Sequence, residues 1–361
     1  MAQFDIVFEG GGAKGIAFAG ALDVFFRQAH TVRRVVGASA GAISAVLVAA
    51  GYTPQELLEA VTEKLPNGKA RFSTFMDRPS HDDFTEDVKQ KSATLQAFND
   101  VRVPLIGALG ERALNALLRL PLYAQIFSFI ECGGPFVGRE FCTWLQEKLQ
   151  KKGFQATDTL QTFARKTAID LSVVASDTTE EEMLILNSRT APLCPVIMAV
   201  RMSMSIPFIW QEVIWRQEWG PYLGRQKTGH AIVDGGVLSN FPIRLIADSA
   251  PDIREIMGNM DPNAAKNLGL LIDETLEVTN APQRRRDEKF FSQLRTVQRA
   301  MRLVDTMTGA RDLEEMAKHK DEICRLPAKG YGTTEFDMTE TRIQALIEAG
   351  RQAMRRHLGL G

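Results

Sequence analysis

Short apolar runs alternate with segments of helical periodicity through the first 65 residues. Residues 4–8 and 32–36 have the length and composition of buried strands, and 15–28 and 40–50 have helical spacing. Gly51 suits a left-handed cap at the end of the second helix. Thr53-Pro54-Gln55-Glu56 combines an N-cap, a proline at the first helical position and an acid at N3, so a third helix begins there. This order predicts an α/β fold with parallel strands joined by crossover helices.

The same alternation returns after residue 135. We predict strands at 171–177, 183–187, 231–236, 268–273 and about 323–326, and helices at 138–149, 196–208, 285–305 and 340–357. No repeat or low-complexity linker separates these elements. We therefore expect a single domain over 1–361, with its core at about 1–65 and 136–250 and with 251–361 completing the α/β structure.

Residues 66–135 interrupt this pattern. Residues 66–100 are polar and irregular, whereas 105–130 are apolar and are broken by Pro121, which predicts two short helices. We interpret 66–135 as a helical insertion and a lid candidate, with plain packing against the sheet as the alternative. Val35 to Gln55 is uncharged and long enough to cross a bilayer, but its glycines, serines and proline favour a buried core helix.

Composition and charge remove several classes of function. The chain has 361 residues, 45% of them hydrophobic, and a formal net charge of −1, so no overall field attracts nucleic acid. Four widely spaced cysteines form no paired motif, which indicates reduced thiols without structural zinc; we expect no metal and no cofactor. The N-terminus lacks the pattern of a cleaved signal peptide. We expect a cytoplasmic location with peripheral membrane contact, and delivery as an effector without a cleaved signal stays open.

The stretch Gly37-Ala38-Ser39-Ala40-Gly41 matches the G-x-S-x-G pattern of a nucleophile elbow. It lies directly after a predicted strand and directly before a predicted helix, where that pattern has a structural meaning. A tight turn there exposes Ser39, and the helix dipole favours negative charge on its oxygen. Ser39 is therefore the candidate nucleophile, with Gly37 and Gly41 relieving crowding of the backbone.

The run FEGGGAKG near the N-terminus admits two interpretations. Gly10, Gly12 and Gly15 satisfy the dinucleotide fingerprint, but that site requires an acid after the second strand, and Asp23 inside a helix is the only acid between Gly15 and Ser39. Lys14 precedes Gly15 and not Ser or Thr, which excludes a P-loop. We therefore interpret Gly10, Gly11 and Gly12 as oxyanion donors. Lys14 either supports this loop or is an ordinary salt-bridged or solvated lysine.

The base for Ser39 is sought among the histidines and acids that follow it. His319 and His357 come late enough in the chain but follow no strand-to-turn junction, and His230 is about 13 Å from Asp234 along a strand at ~3.3 Å per residue. Asp234 ends a predicted strand and enters the turn Asp234-Gly235-Gly236. It is the better candidate, although an Asx turn alone would produce the same pattern.

Taken together, these motifs resemble the patatin-like phospholipase family of bacterial type. The family's oxyanion motif matches 10–15, its nucleophile elbow matches Ser39, its Asp-Gly-Gly motif matches Asp234, and a helix ending in Ser-x-Pro matches 201–207. The similarity covers about 4–50 and 160–245. It implies a three-layer fold with a mainly parallel central sheet flanked by helices, plus a helical insertion.

The resemblance also implies an activity. It points to a serine lipid acyl hydrolase of phospholipase A or lysophospholipase type, in which Ser39 and Asp234 form a dyad that works through an acyl-enzyme. A free aspartate has a pKa of about 3.9, so burial would have to raise the pKa of Asp234 for it to serve as a base near neutral pH. The alternatives are a soluble esterase or thioesterase and a non-catalytic lipid-binding module.

Two surfaces suggest contact with lipid. Residues 284–302 hold seven basic and two acidic side chains with an apolar stripe, as in a basic amphipathic helix that either lies on anionic lipid or packs on the core. Trp210, Trp215, Trp219 and Tyr222 suit a membrane interface or an ordinary hairpin. The expected partner is a phospholipid or other acyl lipid, and the oligomeric state is left open.

Overall fold

The structure is a computed structural model that describes residues 1–100, 110–259, 261, 264–282, 295, 299, 314 and 316–360. Its strands are β1 (Gln3–Phe8), β2 (Thr31–Ala38), β3 (Asp170–Asp177), β4 (Glu182–Leu186), β5 (Val213–Ile214), β6 (Ala231–Asp234), β7 (Lys266–Glu277) and β8 (Ile323–Lys329). The helices that precede β3 in the chain are α1 (Ile16–Arg27), α2 (Ala40–Ala49), α3 (Pro54–Thr62), α4 (Glu86–Lys91), α5 (Ala93–Asp100), α6 (Gly110–Leu118), α7 (Pro121–Glu131), α8 (Arg139–Lys151) and α9 (Leu160–Lys166). The later ones are α10 (Val196–Ser203), α11 (Arg244–Ala247), α12 (Pro251–Met257) and α13 (Glu340–His357).

The sheet is mainly parallel. β8, β7, β1, β2 and β3 lie side by side in that order and all run in one direction. β4 and β6 both pair with β3 in the antiparallel sense, and β5 extends β6. The predicted α/β class is therefore confirmed.

Helices cover both faces of the sheet, which makes three layers. On β1, Phe4, Ile6 and Phe8 belong to the larger core beneath α1, α2, α8, α10 and α13. Val7 belongs to a second core, shared with α11 and α12 on the opposite face. The alternation along one strand thus divides its side chains between two apolar layers, as the pleat requires.

The first half of the chain agrees closely with the sequence pattern. The predicted strands and helices within 4–50 are present, and Thr53 and Glu56 make the predicted capping box at the start of α3. The uncharged segment 35–55 contains α2, which is almost completely buried, as expected for a core helix. Among the described residues, no single helix is long and apolar enough to cross a membrane.

The insertion contains more structure than its polar pattern suggested. Pro121 begins α7, as predicted, but α4 and α5 lie within 66–100, which we expected to be irregular. Residues Phe84, Leu95, Leu114, Leu118, Ala124 and Phe127 form a small core of their own. Leu95 of α5 is buried in this local core and Val88 of α4 packs against it, and apolar residues this sparse did not reveal a helical period.

Four other sequence expectations need correction or lie beyond the structure. α10 ends at Ser203 instead of continuing to Pro207, and β6 ends at Asp234, where a 3-10 turn over Gly235–Val237 begins. The four aromatic residues between 210 and 222 are buried, so they belong to the interior and not to an exposed interface. The predicted basic helix at 285–305 falls almost wholly outside the described residues.

Candidate active site

Ser39 occupies a strained turn between β2 and α2. Its φ of 52° and ψ of −121° are rare for a residue with a side chain, and such strain is typical of functional positions. A Cβ on Gly37 would lie 2.3 Å from the backbone of Gly41, and one on Gly41 would lie 2.2 Å from the carbonyl oxygen of Phe8. Only glycine fits at both places. The absence of side chains there lets the turn bring Ser39 next to the end of β1.

Asp234 lies at the end of β6 and enters a 3-10 turn. Its Oδ1 accepts a hydrogen bond from the Gly236 N–H at 2.8 Å, and its own N–H donates to the Ser205 carbonyl at 3.0 Å. A Cβ on Gly235 would lie 2.4 Å from the Val174 carbonyl oxygen, so the turn presses directly against β3. These contacts place the carboxylate at the carboxyl end of β6 with a fixed backbone.

The pairing of β3 explains why the ends of β2 and β6 meet. β4 pairs with 173–177 along one edge of β3, so β2 and β6 must share the other edge. On that shared edge Ala38 is paired with Val174, and Asp234 is paired with Ala175. β2 and β6 run in opposite directions, and their carboxyl ends therefore meet head to head. The predicted nucleophile and base are brought together at this junction.

Burial changes the acidity of Asp234. Ser39 and Asp234 are only 5% and 4% exposed. Burial raises the pKa of Asp234 to about 7, and the Ser39 hydroxyl and the Gly236 N–H oppose that rise in pKa by hydrogen bonding. The Oδ2 atom has no partner of ordinary hydrogen-bonding geometry in the part of the chain that is described. A carboxylate with such a pKa can exchange a proton near neutral pH.

The glycine loop lies beside the elbow. A Cβ on Gly10 would be 3.2 Å from the Ser39 Cβ and 2.1 Å from Asn240 Oδ1. The Gly10 N–H, however, donates to the Asn240 carbonyl at 2.9 Å, and the Gly10 carbonyl accepts from Asn240 Nδ2 at 2.9 Å. This differs from the expectation that Gly10 donates to an oxyanion. Gly11 and Gly12 are the two glycines of the run that stay candidates for that role.

Asn240 is a site residue that the sequence analysis missed. Besides its bonds to Gly10, its Nδ2 donates to Glu9 Oε1 at 3.1 Å, and Glu9 Oε2 accepts from the Ile272 N–H. Asn240 thus joins the loop after β6 to the loop after β1. The only sequence signal was a polar residue a few positions after Asp-Gly-Gly, and nothing in the pattern specified its partner.

Lys14 lies within the short 3-10 helix Gly12–Gly15 of the glycine loop. Its side chain is buried and pairs with Glu274 near the end of β7. The ion pair with Glu274 matches the salt-bridged alternative and the burial excludes a solvated lysine, so a role in holding the loop stays a prediction.

The histidines have other partners. His230 Nδ1 is 2.8 Å from Asp177 Oδ2, and His319 Nδ1 is 3.1 Å from Glu322 Oε2. The ligand atoms of Asp177, Glu180 and His230 lie within 4.8 Å of one another, as in a metal site. The ammonium of Lys227 is bonded to Asp177, Glu180 and Glu182, however, so a positive charge of the chain itself already occupies this cluster.

An elbow serine, a buried aspartate and a glycine loop on a three-layer α/β fold together define a hydrolase-like site. The sequence model of the patatin-like phospholipase family matches residues 6–247. This span contains every site residue described above except Glu274 and the β7 segment, and the chain therefore belongs to the patatin-like phospholipase family. Its class is that of the lipid hydrolases.

Individual proteins also show similarity to this chain. The chain is 28% identical over 360 residues to the uncharacterised protein YqhO of Bacillus subtilis (strain 168), covering 96% of this chain and 95% of that one. The solved structure of VipD from Legionella pneumophila matches with a TM-score of 0.51 and 17% identity, over 99% of this chain and 67% of that one, which supports the fold alone. The type III effector ExoU of Pseudomonas aeruginosa matches at a TM-score of 0.41 and 15% identity, over 99% of this chain and 53% of ExoU.

Proposed function

We propose that the protein is a serine lipid acyl hydrolase of phospholipase A or lysophospholipase type, in which Ser39 and Asp234 form the catalytic dyad. The observation that carries this proposal is the buried Asp234 carboxyl, whose pKa burial raises to about 7, at the junction where the end of β6 meets the strained elbow of Ser39. A base with such a pKa is matched to operation near neutral pH, which an ordinary aspartate is not.

The proposed reaction has two halves. Ser39 Oγ attacks the ester carbonyl carbon while Asp234 takes its proton, and the protonated Asp234 then gives that proton to the departing alcohol. Water next gives a proton to Asp234 and attacks the acyl-enzyme, and Ser39 recovers the proton as it leaves. The N–H groups of Gly11 and Gly12 and the N-terminus of α2 would stabilise the oxyanion in both halves.

The test compares two serines of the same region. Ser39→Ala is expected to abolish acyl release from a panel of phospholipids, and Ser44→Ala, one turn along α2, is expected to retain it. A fluorophosphonate probe followed by peptide mapping should label Ser39. Labelling at another serine, or full activity of Ser39→Ala, would contradict the dyad, and a protein with neither labelling nor turnover would be a non-catalytic lipid-binding module.

The insertion supports lipid as the substrate class. The tip of the insertion, residues 119–130, exposes Leu120, Leu122, Tyr123 and Ile130, each by about half or more of its surface, and Arg119 is exposed as well. Leucine, tyrosine and arginine together suit the boundary between lipid tails and headgroups. We propose that this tip makes peripheral contact with a phospholipid bilayer.

A vesicle assay tests the contact separately from the chemistry. Leu122→Asp should weaken binding to vesicles of phosphatidylcholine and phosphatidylglycerol, whereas Leu193→Asp, equally exposed but outside the insertion, should not. Both variants should cleave a monomeric short-chain ester normally. If the wild type is no faster on vesicles or micelles than on monomeric esters, the protein is instead a soluble esterase or thioesterase.

A further inference from the structure

One short segment holds the backbones of both proposed catalytic residues. Ser203 ends α10, and its Oγ accepts the N–H of Ser39 at 2.9 Å. Two residues further on, the Ser205 carbonyl accepts the N–H of Asp234 at 3.0 Å. Both serines are fully buried, so water does not compete for these bonds.

The Ser203 hydroxyl has a fixed direction. It donates to the Val174 carbonyl at 2.6 Å, and a hydroxyl has only one hydrogen, so towards Ser39 it can act only as an acceptor. Val174 is the β3 residue paired with Ala38, directly before Ser39. The hydroxyl therefore joins the elbow to the strand against which β2 and β6 meet.

The segment is itself held rigidly. The guanidinium of Arg201, also buried, binds Ser205 Oγ and donates to the carbonyls of Val137 at 2.7 Å and Gln211 at 3.0 Å. Ser205 Oγ donates in turn to the Arg201 carbonyl at 2.7 Å. The Ser205 hydroxyl thus takes the Arg201 carbonyl that the Ser205 N–H would use in a longer helix, and this N–H donates to the Met202 carbonyl at 3.1 Å instead, so α10 stops at Ser203.

The elbow needs such a restraint. The positive φ of Ser39 is unfavourable for a residue with a side chain and persists only where its surroundings impose it. Without the Ser203 oxygen, the buried N–H of Ser39 would lose its acceptor, which is a costly state that the turn can relieve only by moving. Any such movement changes the position of Ser39 Oγ relative to the carboxylate.

We propose that Ser203 is a positioning residue for the reaction: its hydroxyl holds the Ser39 backbone, and together with the Ser205 carbonyl it sets the separation between nucleophile and base. This inference rests on the proposed Ser39–Asp234 function. It concerns the geometry of the dyad, since Ser203 bonds to the backbone of Ser39 and not to its reacting oxygen.

The experiment measures kcat, KM and the rate of fluorophosphonate labelling for Ser203→Ala. Because a shift of about 1 Å in a reacting group can cost ~10²-fold in rate, we expect kcat and labelling to fall together by roughly 10- to 100-fold with KM nearly unchanged. Ser203→Thr, which keeps the hydroxyl, should recover most of the loss. The matched control is Ser172→Ala, another fully buried serine, whose hydroxyl bonds to Asn187 and Met257 and not to the elbow.

The pH profile gives a readout that a purely structural role would not change. The Ser39 hydroxyl lowers the pKa of Asp234, and burial, this hydroxyl and the Gly236 N–H are the causes acting on that pKa, with no charged side chain among them. If Ser203→Ala displaces Ser39, the acid limb of kcat/KM should move to higher pH. Ser172→Ala should leave it in place.

Three outcomes would overturn the inference. The first is a Ser203→Ala enzyme with wild-type kcat when Ser39→Ala is inactive, a result that leaves the proposed function intact. The second is an equal loss in Ser203→Ala, Ser203→Thr and Ser172→Ala with an unmoved acid limb. The third outcome applies if Ser203→Ala does not fold. Ser203→Cys keeps the side-chain volume but offers the Ser39 N–H only a weak acceptor, so a normal kcat in Ser203→Cys would overturn the inference.

Discussion

Two buried aspartates end neighbouring strands, and they differ in almost everything else. Asp177 ends β3 and Asp234 ends β6, and the two strands are paired, with Asp177 opposite Ile232 and Asp234 opposite Ala175. Both side chains are almost fully removed from solvent. Burial by itself would raise the pKa of either carboxyl, because a charged group loses its hydration there.

The hydrogen-bond and ion-pair partners of each carboxyl decide whether its pKa rises or falls. Burial acts to raise the pKa of Asp177, but His230, Lys227 and the N–H groups of Glu180 and Thr179 together bring that pKa below its ordinary value. The Gly236 N–H and the Ser39 hydroxyl lower the pKa of Asp234, but the effect of burial is larger, so this pKa rises to about 7. Within the described part of the chain, cations act on the pKa of Asp177 and none acts on that of Asp234, which leaves Asp234 able to take up a proton.

The largest expected effect is on activity. Asp234→Asn removes the proposed base and should lower kcat by roughly 10²- to 10⁴-fold, the usual contribution of general-base catalysis. Asp177→Asn should stay close to wild type, because Lys227 keeps Glu180 and Glu182 as partners. Steady-state hydrolysis by the two purified variants measures both effects. Equal losses would remove the distinction between the two aspartates.

The pH dependence of kcat/KM should reveal the ionisation of Asp234 and not that of Asp177. The ionised form of Asp234 is the proposed base, so activity should rise with pH through an acid limb near pH 7, the value to which its pKa is raised. Asp177→Asn should show the same limb, since the pKa of Asp177 lies below its ordinary value and it is already ionised there. An acid limb near the ordinary pKa of aspartate, about 4, would show that burial does not tune the base.

Stability should respond to the two substitutions with opposite signs. The folded-state pKa of Asp234 is above its unfolded value, so ionisation costs stability as pH rises from about 4 to 7, and the full cost is present above that range. At about pH 8 Asp234→Asn should therefore raise the free energy of unfolding, by up to about 4 kcal/mol at 1.36 kcal/mol per pKa unit.

Asp177 behaves in the reverse way. Its pKa is depressed, so its contribution is present above the unfolded value and is lost as pH falls through the folded one. Asp177→Asn should lower the free energy of unfolding at about pH 8, and the difference from wild type should shrink in acid. Urea unfolding at the two pH values measures both variants, and changes of the same sign would refute the comparison.

The smallest effect should come from His230→Gln. This change removes one of the partners of Asp177 but leaves the Lys227 bond at 2.9 Å, so we expect a loss of about 1 kcal/mol in the free energy of unfolding. Activity and the acid limb should not change. A large loss of activity would instead assign the histidine to the chemistry, against its placement beside Asp177.

The sequence was sufficient for the parts of the site that depend on local backbone. A serine between glycines at a strand-to-helix junction and an aspartate before two glycines each specify a tight turn, whatever the rest of the chain does. Those patterns predicted the turns at Ser39 and Asp234, the resemblance to the family implied that the two residues pair, and alternating apolar runs predicted most of the sheet. The catalytic roles themselves stay predictions until they are measured.

The sequence was insufficient wherever a backbone group finds a distant partner. Whether the Gly10 N–H is available depends on Asn240, and the Ser39 N–H depends on Ser203; both contacts follow from how β6 and α10 pack on β3. No local pattern encodes such pairings. For the same reason the sequence did not distinguish Asp177 from a surface acid, because its partner Lys227 lies far along the chain.

The head-to-head meeting of β2 and β6 has a consequence for the nascent chain. A protein is made from its N-terminus, so the elbow with Ser39 leaves the ribosome well before β6 does. Until β6 docks on the free edge of β3, the serine has no proton acceptor beside it. If Ser39 and Asp234 form the proposed dyad, an incomplete or truncated chain would carry Ser39 without its base, and activity would begin only after the fold is complete.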